Sequence, residues 1–250
     1  MKGKSVIITG GAGEIGKATA KVFLEKGSKV LLVDLSEESL KEAKSELNND
    51  RVETFVADVT KEDEVKKYVA YAEEKFGSID MFFNNAGIEG KVQPITELDD
   101  DAFESVMQVN VNGVVLGMKY VMRSMKESGG GSIVISSSVA GLQGNPGMVA
   151  YTTSKHAVIG VMRTAALEGA PMGIRVNTVN PGVVDSRMMD SLEAGLGEDP
   201  EQVKEGFKQQ VPLGRYAQED EIAQTAYFLL SDQTPYTTGS VNVVDGGLSA

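Results

Sequence analysis

Short apolar runs alternate with longer amphipathic stretches along most of this 250-residue chain. Such short, nearly continuous runs are typical of strands that are covered on both faces, as in a parallel sheet. Runs of this kind cover residues 5–9, 29–33, 53–56, 79–83, 132–136, 175–179 and 240–244. They predict seven strands.

Apolar residues between these runs recur every three or four positions, which indicates amphipathic helices. One helix is predicted to begin at Thr60, with Asp63 as a capping-box-like partner, and another to run from Asp99 to Val121. Others are predicted near residues 17–25, 150–169 and 219–230. Seven strands interleaved with about six helices predict an α/β fold: a Rossmann-like, doubly wound parallel sheet with helices on both faces. No repeat or linker divides the chain, so residues 1–250 are predicted to form a single domain.

Residues 185–210 interrupt this alternation with a segment rich in Met, Leu, Gly and acidic residues. A long insertion between a strand and the next helix is typically a functional loop or lid. We therefore expect this segment to cover a binding site. Its apolar residues fit either an ordinary core or a flexible pocket cover, and they are Met188, Met189, Leu192 and Leu196.

A glycine-rich turn, Thr-Gly-Gly-Ala-Gly-Glu-Ile-Gly over residues 9–16, joins the first predicted strand to the first helix. Glycine lets the backbone approach a pyrophosphate, and a helix N-terminus offers free N–H groups and a positive dipole end. The position between strand and helix strengthens what would otherwise be a weak signal. The predicted dinucleotide contacts in this turn are Gly10, Gly13, Glu14, Ile15 and Gly16.

Asp34 ends the second apolar run, about twenty residues beyond the glycine turn, where a carboxylate can accept hydrogen bonds from the adenosine ribose hydroxyls. It would repel a 2′-phosphate, and the neighbouring Leu35 and Ser36 supply no cation. Asp34 therefore favours NAD over NADP as cofactor. The alternative is that Asp34 caps the following helix, a role that Ser36 can also take.

Further polar residues follow the third and fourth predicted strands, at the edge where sites assemble in parallel sheets. Asp58 and Val59 end the third strand, where an adenine amino group could be recognised. The sequence Asn84-Asn85-Ala86-Gly87 ends the fourth strand and adds Asn85, Ala86 and Gly87 to the predicted cofactor contacts.

Tyr151 and Lys155 begin a helical pattern, and a spacing of four places them on one face, a turn apart. A free phenol has a pKa of about 10, so it acts as a base near neutrality only when a nearby positive charge stabilises the phenolate. Ser138 ends the serine triplet Ser136-Ser137-Ser138, which follows the fifth run at the same sheet edge. Asn110 lies inside a predicted helix, where Asn is a poor helix former.

Together, the glycine turn, Asn84-Asn85-Ala86-Gly87, Asn110, Ser138, the Tyr151–Lys155 pair and Pro181-Gly182 resemble the short-chain dehydrogenase/reductase family in order and spacing. The resemblance extends from residue 4 to residue 247. Residues 82–91 are also similar to bacterial cyclohexanedione (levodione) reductases.

The resemblance implies an oxidoreductase in which Tyr151 exchanges a proton with a carbonyl or alcohol. Lys155 would hold the nicotinamide ribose and lower the pKa of Tyr151, and Ser138 would hydrogen-bond the substrate oxygen. Asn110 would hold a water in a proton relay. The carboxamide would be anchored after the sixth strand, by Pro181, Gly182, Val184 and Ser186.

Glu14 departs from the family pattern, which usually has glycine at this place in the turn. A carboxylate suits a helix N-terminus electrostatically, yet here it would face a pyrophosphate. We expect Glu14 to point outward and to weaken dinucleotide affinity modestly.

The amino-acid composition limits the classes of molecule that this chain is expected to bind. The net charge of −12 argues against nucleic acid and anionic membranes, and disfavours an acidic carrier protein. The absence of cysteine excludes Cys-ligated metals, and His156, the single histidine, is expected to point away from Tyr151, so no metal site is predicted. No targeting segment precedes the first run, so a cytoplasmic location is expected.

Three other functions fit some or all of these motifs. A methyltransferase shares the glycine turn and ribose-binding acid, but leaves Ser138, Tyr151 and Lys155 unused. A non-catalytic NAD-sensing protein would not need these residues either. A 3-oxoacyl-carrier-protein reductase fits all of them but usually requires NADPH. We therefore predict an NAD-dependent enzyme acting on a small neutral ketone or secondary alcohol, and the family resemblance implies a homotetramer.

Overall fold

The computed structural model describes residues 1–196 and 199–250, and its seven strands form one parallel sheet in the order β3-β2-β1-β4-β5-β6-β7. The strands are β1 (Ser5–Thr9), β2 (Lys29–Asp34), β3 (Val52–Val56), β4 (Met81–Asn84), β5 (Gly131–Ser136), β6 (Ile174–Pro181) and β7 (Val241–Val244). The predicted Rossmann-like, doubly wound sheet is confirmed. Because the order reverses between β1 and β4, the carboxyl ends of these two strands flank a crevice, where such folds bind ligands.

Nine α-helices lie in the described part of the chain, more than the six or so predicted. They are α1 (Glu14–Glu25), α2 (Glu37–Leu47), α3 (Glu62–Phe76), α4 (Asp100–Met107), α5 (Val114–Ser128), α6 (Val149–Gly169), α7 (Arg187–Gly195), α8 (Pro200–Gln210) and α9 (Glu219–Leu230). None of the described helices is long and apolar enough to cross a bilayer.

The helices cover both faces of the sheet because successive strand residues point to opposite sides. Ile7 on β1 belongs to a core with Tyr68 of α3 and Val121 of α5. The next residue, Ile8, belongs to a second core with Phe23 of α1 and Ile222 of α9. All six side chains are fully buried.

The start of α3 differs from the prediction. The helix begins at Glu62 rather than Thr60, and its N-cap, Lys61, makes no side-chain capping bond. The Thr60 hydroxyl instead donates to the Asp58 carboxylate at 2.7 Å, and the Asp58 N–H donates to Glu64 at 2.7 Å. Thr60 therefore belongs to a local turn with Asp58, which competes with capping.

The helix predicted over residues 99–121 is interrupted. After α4, residues Gln108–Gly113 form a π-helical turn before α5 begins. Asn110 lies in this turn and is only 1% exposed. Such turns are often found at functional sites.

The insertion at residues 185–210 is largely helical and not a loop. Ser186 caps α7 by accepting a hydrogen bond from the Met189 N–H, and Asp199 caps α8 in the same way from Glu201. Residues 197 and 198 lie outside the described part of the chain.

Candidate active site

The glycine turn between β1 and α1 needs glycine at two positions. Gly10 has a φ of +62°, which disfavours residues with a Cβ. A Cβ on Gly16 would lie 2.3 Å from the Gly10 carbonyl oxygen, so the turn closes onto the helix only because Gly16 has no side chain. Gly13 is the N-cap of α1 and has no side chain with which to cap the helix. The turn thus forms an open cradle at a helix N-terminus, which fits a pyrophosphate.

Asp34 lies beside this cradle at the end of β2. One carboxylate oxygen accepts a hydrogen bond from the Ala12 N–H at 3.1 Å, and the other accepts from the Leu35 N–H at 2.8 Å. Ser36, not Asp34, caps α2, so the alternative role considered for Asp34 is wrong. A carboxylate has about four lone-pair sites, which leaves Asp34 able to accept from a ribose as well.

The loop after β4 is fastened to the end of β1. The Thr9 hydroxyl accepts hydrogen bonds from the N–H groups of Asn85 and Ala86, at 3.0 and 3.2 Å. The Asn85 side chain donates to the Thr9 carbonyl at 3.2 Å. These bonds hold the loop against the glycine turn.

Lys155 is nearly buried in the second turn of α6. Its ammonium donates to the Ser136 carbonyl at 2.9 Å and lies 5.4 Å from the centre of the Tyr151 ring. Burial disfavours the charged form and lowers the pKa of Lys155 to about 8.

Burial also raises the pKa of Tyr151 to about 12. A hydrogen bond with Ser138 acts in the opposite direction, and the charge of Glu89 raises the pKa further. The lowered pKa that the family resemblance implied is therefore not found, because desolvation outweighs the stabilising contacts. Tyr151 in this structure is a protonated phenol over the physiological pH range.

Ser138 lies between Tyr151 and the end of β6. Its hydroxyl accepts a hydrogen bond from the Ala140 N–H at 3.1 Å and donates to the Pro181 carbonyl at 3.4 Å. Asn180 donates to the Ser138 carbonyl at 2.9 Å. The hydroxyl is thus held at a strand end, facing Tyr151.

Asn110 lies behind the site. Its amide oxygen accepts from the Ile88 N–H at 2.8 Å, and its amide nitrogen donates to the Ile88 carbonyl at 2.9 Å and to the Ser154 hydroxyl at 3.0 Å. These bonds tie the loop after β4 to α6. The predicted water-holding role stays a prediction.

Beyond β6, the chain folds back over the site. A Cβ on Gly182 would approach the Asp245 Cβ to 2.8 Å, which explains the glycine there. Val184 pairs with Ala217 in an isolated bridge, and Ser186 caps α7.

One cavity of about 670 Å³ joins these groups. Every predicted cofactor contact and catalytic residue lines it, except Asn110. Other lining residues were not predicted: Val33, Ala57, Ile88, Val92, Val109, Ser136, Ser137, Ala140, Gln143, Asn145, Pro146, Val183, Arg187, Phe207, Gln210 and Leu248. Ser136 begins the serine triplet that ends at Ser138, and this was a usable signal. Most of the remainder come from loops and helices whose approach to the site is set by tertiary packing.

Glu14 does not point outward as expected. It lines the cavity, and its carboxylate accepts a long hydrogen bond of 3.4 Å from the Arg187 N–H.

Elsewhere, His156 faces away from the site on α6 and contacts the Thr152 carbonyl at 2.9 Å. No group of three or more His, Cys, Asp or Glu side chains within residues 1–196 and 199–250 could hold a metal ion.

Comparison with known proteins supports the resemblance noted above. A family model described as "Enoyl-(Acyl carrier protein) reductase" matches residues 10–249. The levodione reductase of Leifsonia aquatica is 40% identical and aligns over 98% of this chain and 94% of its own. The 3-oxoacyl-[acyl-carrier-protein] reductase of Thermotoga maritima is 38% identical, over 99% and 98% of the two chains.

Solved structures agree with these relatives. A crystal structure of levodione reductase matches with a TM-score of 0.97 and 39% identity, covering 99% of this chain and 98% of the other. A structure of NAD⁺-bound xylitol dehydrogenase matches with a TM-score of 0.94 and 36% identity, covering 98% and 99%.

Proposed function

This chain belongs to the short-chain dehydrogenase/reductase family of oxidoreductases, and on that premise we propose that it interconverts a secondary alcohol and a ketone with NAD(H). The observation that carries the proposal is the shared cavity. At one end it is lined by the glycine cradle and Asp34, and at the other by Ser138, Tyr151 and Lys155.

The residues at the cofactor end fit a dinucleotide. The turn at Gly10 and Gly16 leaves room for a pyrophosphate at the α1 N-terminus. Asp34 would accept from the adenosine ribose, and Asp58 and Val59 line the same end. Pro181, Gly182, Val184 and Ser186 would hold the carboxamide. A bound nicotinamide supplies or accepts the hydride.

The end of the cavity lined by Ser138, Tyr151 and Lys155 would supply the proton for carbonyl reduction. Tyr151 is protonated at neutral pH and would donate its proton to a carbonyl oxygen that Ser138 also hydrogen-bonds. The phenolate left behind would be stabilised by the Lys155 ammonium, 5.4 Å from the ring centre. Alcohol oxidation reverses these steps.

The substrate end of the cavity is mostly apolar, which favours a small or medium-sized neutral ketone or secondary alcohol. Desolvating a charged acid there would cost several kcal/mol unless it found a partner. The apolar wall is formed by Val139 in the turn after β5, by Met148 just before α6, and by Met188 and Leu192 of α7, which covers the site.

The relative affinity for NADH and NADPH tests the proposed function. We expect NADH to bind at least about 10-fold more tightly than NADPH, because a 2′-phosphate would meet the Asp34 carboxylate at close range. Titration of the purified protein with each cofactor, followed by nicotinamide fluorescence, measures both dissociation constants. The Asp34→Ala variant is expected to lose this preference, and equal preference in wild type and variant would contradict the assignment.

A second candidate is a 3-oxoacyl-carrier-protein reductase, favoured by the relative in Thermotoga maritima. It would be supported by tighter NADPH binding and by turnover of an acyl-carrier substrate. Tight NADH binding without turnover of any ketone or alcohol would instead support an NAD-sensing protein.

We also propose a homotetramer. The groove between α5 and α6 exposes apolar surface, including Val115. Outside this groove, near the end of α6, Leu167 is 80% exposed. On β7, Val243 is 43% exposed. Covering these residues in an assembly would remove apolar surface from water.

Light scattering is therefore expected to give about four times the 26.6 kDa chain mass. Replacing Leu167 with Glu should reduce the mass by placing a charge in the interface. A monomeric wild-type mass would contradict the proposal.

A further inference from the structure

We propose that Glu14 is a gate residue of the cofactor site: it links the glycine turn to the cover helix α7, and a dinucleotide pyrophosphate must displace it in order to bind. This inference depends on the proposed function as an NAD(H) enzyme.

The contact crosses the cavity between two distant parts of the chain. Glu14 is the first residue of α1 and Arg187 is the first residue of α7. The Arg187 N–H donates to the Glu14 carboxylate across 173 residues of sequence, and both residues line the cavity. Glu14 therefore joins the two walls at this point, while the Arg187 guanidinium lies 4.0 Å from the Glu89 carboxylate.

Electrostatic attraction explains why the Glu14 carboxylate lies between the N-termini of α1 and α7. The first N–H groups of a helix are unpaired and carry the positive end of the helix dipole. Glu14 lies in the first turn of α1 and reaches the first N–H of α7, so one anion serves two helix ends. A pyrophosphate bound at the glycine turn would need the same positive environment.

The Glu14 carboxylate and a pyrophosphate would repel each other if both occupied this positive environment. A pyrophosphate at the turn would lie near the Glu14 carboxylate, and like charges in a partly buried site repel. The Glu14–Arg187 bond is long, at 3.4 Å, and hence easily broken. Binding is expected to swing Glu14 away and to release the start of α7 from the glycine turn.

Two substitutions separate charge from linkage. Glu14→Gln removes the charge but keeps an oxygen that can accept from the Arg187 N–H. Glu14→Ala removes both. Glu25→Gln is the matched control, because Glu25 is the exposed last residue of the same helix and the charge change is identical.

Cofactor binding is measured first. Stopped-flow mixing with NADH, followed by nicotinamide emission, gives association and dissociation rates, and the chain has no tryptophan to interfere. A charge at a helix end is worth enough to change an equilibrium by about 2- to 5-fold. We expect Glu14→Ala and Glu14→Gln to tighten NADH binding by this factor, mainly through faster association, and Glu25→Gln to leave it unchanged.

The contact between Glu14 and the start of α7 is tested in the absence of NADH. Trypsin can cut after the exposed Arg187 only when the start of α7 opens locally, and mass spectrometry identifies the fragment ending there. Cleavage is expected to be about 2- to 5-fold faster in Glu14→Ala than in wild type, and close to wild type in Glu14→Gln and Glu25→Gln.

The outcomes separate this inference from the proposed function. NADH binding that is unchanged or weakened in both Glu14 variants overturns the gate, as does equal cleavage at Arg187 in Glu14→Ala and wild type, and the NAD(H) function survives either result. Failure of wild type and both variants to bind NADH or NADPH overturns the function and the gate together.

Discussion

The Tyr151→Phe variant is expected to lose turnover in both directions by about 10²- to 10⁴-fold, the usual contribution of general acid–base catalysis. The substitution removes one hydroxyl, which lies 4.0 Å from the Met188 sulfur, and keeps the ring beside the Lys155 ammonium. NADH affinity should change little, because the cradle and Asp34 are untouched. Initial rates with a ketone and with the matching alcohol, alongside an NADH titration, measure both effects.

Tyr71→Phe is the matched control. The Tyr71 hydroxyl contacts Glu53 at 3.3 Å on the α3 side of the sheet, away from the cavity, so this variant should retain activity. Substantial turnover by Tyr151→Phe would exclude Tyr151 as the proton donor. Equal losses in both variants would indicate that the phenol acts through stability instead.

The second large effect is expected from Lys155→Met. Methionine fills similar space but removes the ammonium that would stabilise the Tyr151 phenolate, so kcat/KM should fall by about 10²-fold or more. The fold should survive, because an ammonium whose pKa is lowered by burial opposes folding at neutral pH. Thermal unfolding at pH 7 should therefore show a Tm close to that of wild type.

The pH profile tests the same lysine in the wild-type protein. Its pKa in the fold is about 8, below the free value of about 10.4, so the ammonium loses its proton as pH rises through 8. Tyr151 stays protonated over this range, with a pKa of about 12. The kcat/KM for NADH in ketone reduction, which reports the free enzyme, should be level below pH 7 and fall above pH 8.

Lys155→Arg keeps a positive charge at all these pH values and should shift the fall upward or remove it. A profile that stays level to pH 10 in wild type would show that the charge of Lys155 does not matter to this step.

Much of the sheet was predictable because a strand buried on both faces leaves a continuous apolar run. The run at residues 5–9 coincides with β1, and the pattern over residues 219–230 coincides with α9. The π-helical turn was not predicted, because it shifts the phase of the apolar pattern by only one residue. Two helices in the insertion were also missed, although Ser186 and Asp199 are typical N-cap residues, because the composition suggested a loop.

The candidate site was predictable where chemistry depends on residue type and strand ends. Asp34, Ser138 and Tyr151 line one cavity, although more than one hundred residues separate the first from the last. Contacts such as Glu14 with Arg187 were beyond reach, because nothing local to either residue indicates the other. The raised pKa of Tyr151 depends likewise on how completely the tertiary fold excludes water.

The π-helical turn also limits which insertions and deletions this chain could tolerate. One residue of an α-helix corresponds to about 100° of rotation. Restoring a regular helix by deleting one residue in Gln108–Gly113 would rotate α5 relative to α4 by that angle and turn its buried Met118, Val121 and Met125 away from the sheet. Variation in chain length is therefore expected in surface loops and not here, because the wide turn sets the orientation of Asn110 and of the core-facing side of α5 at once.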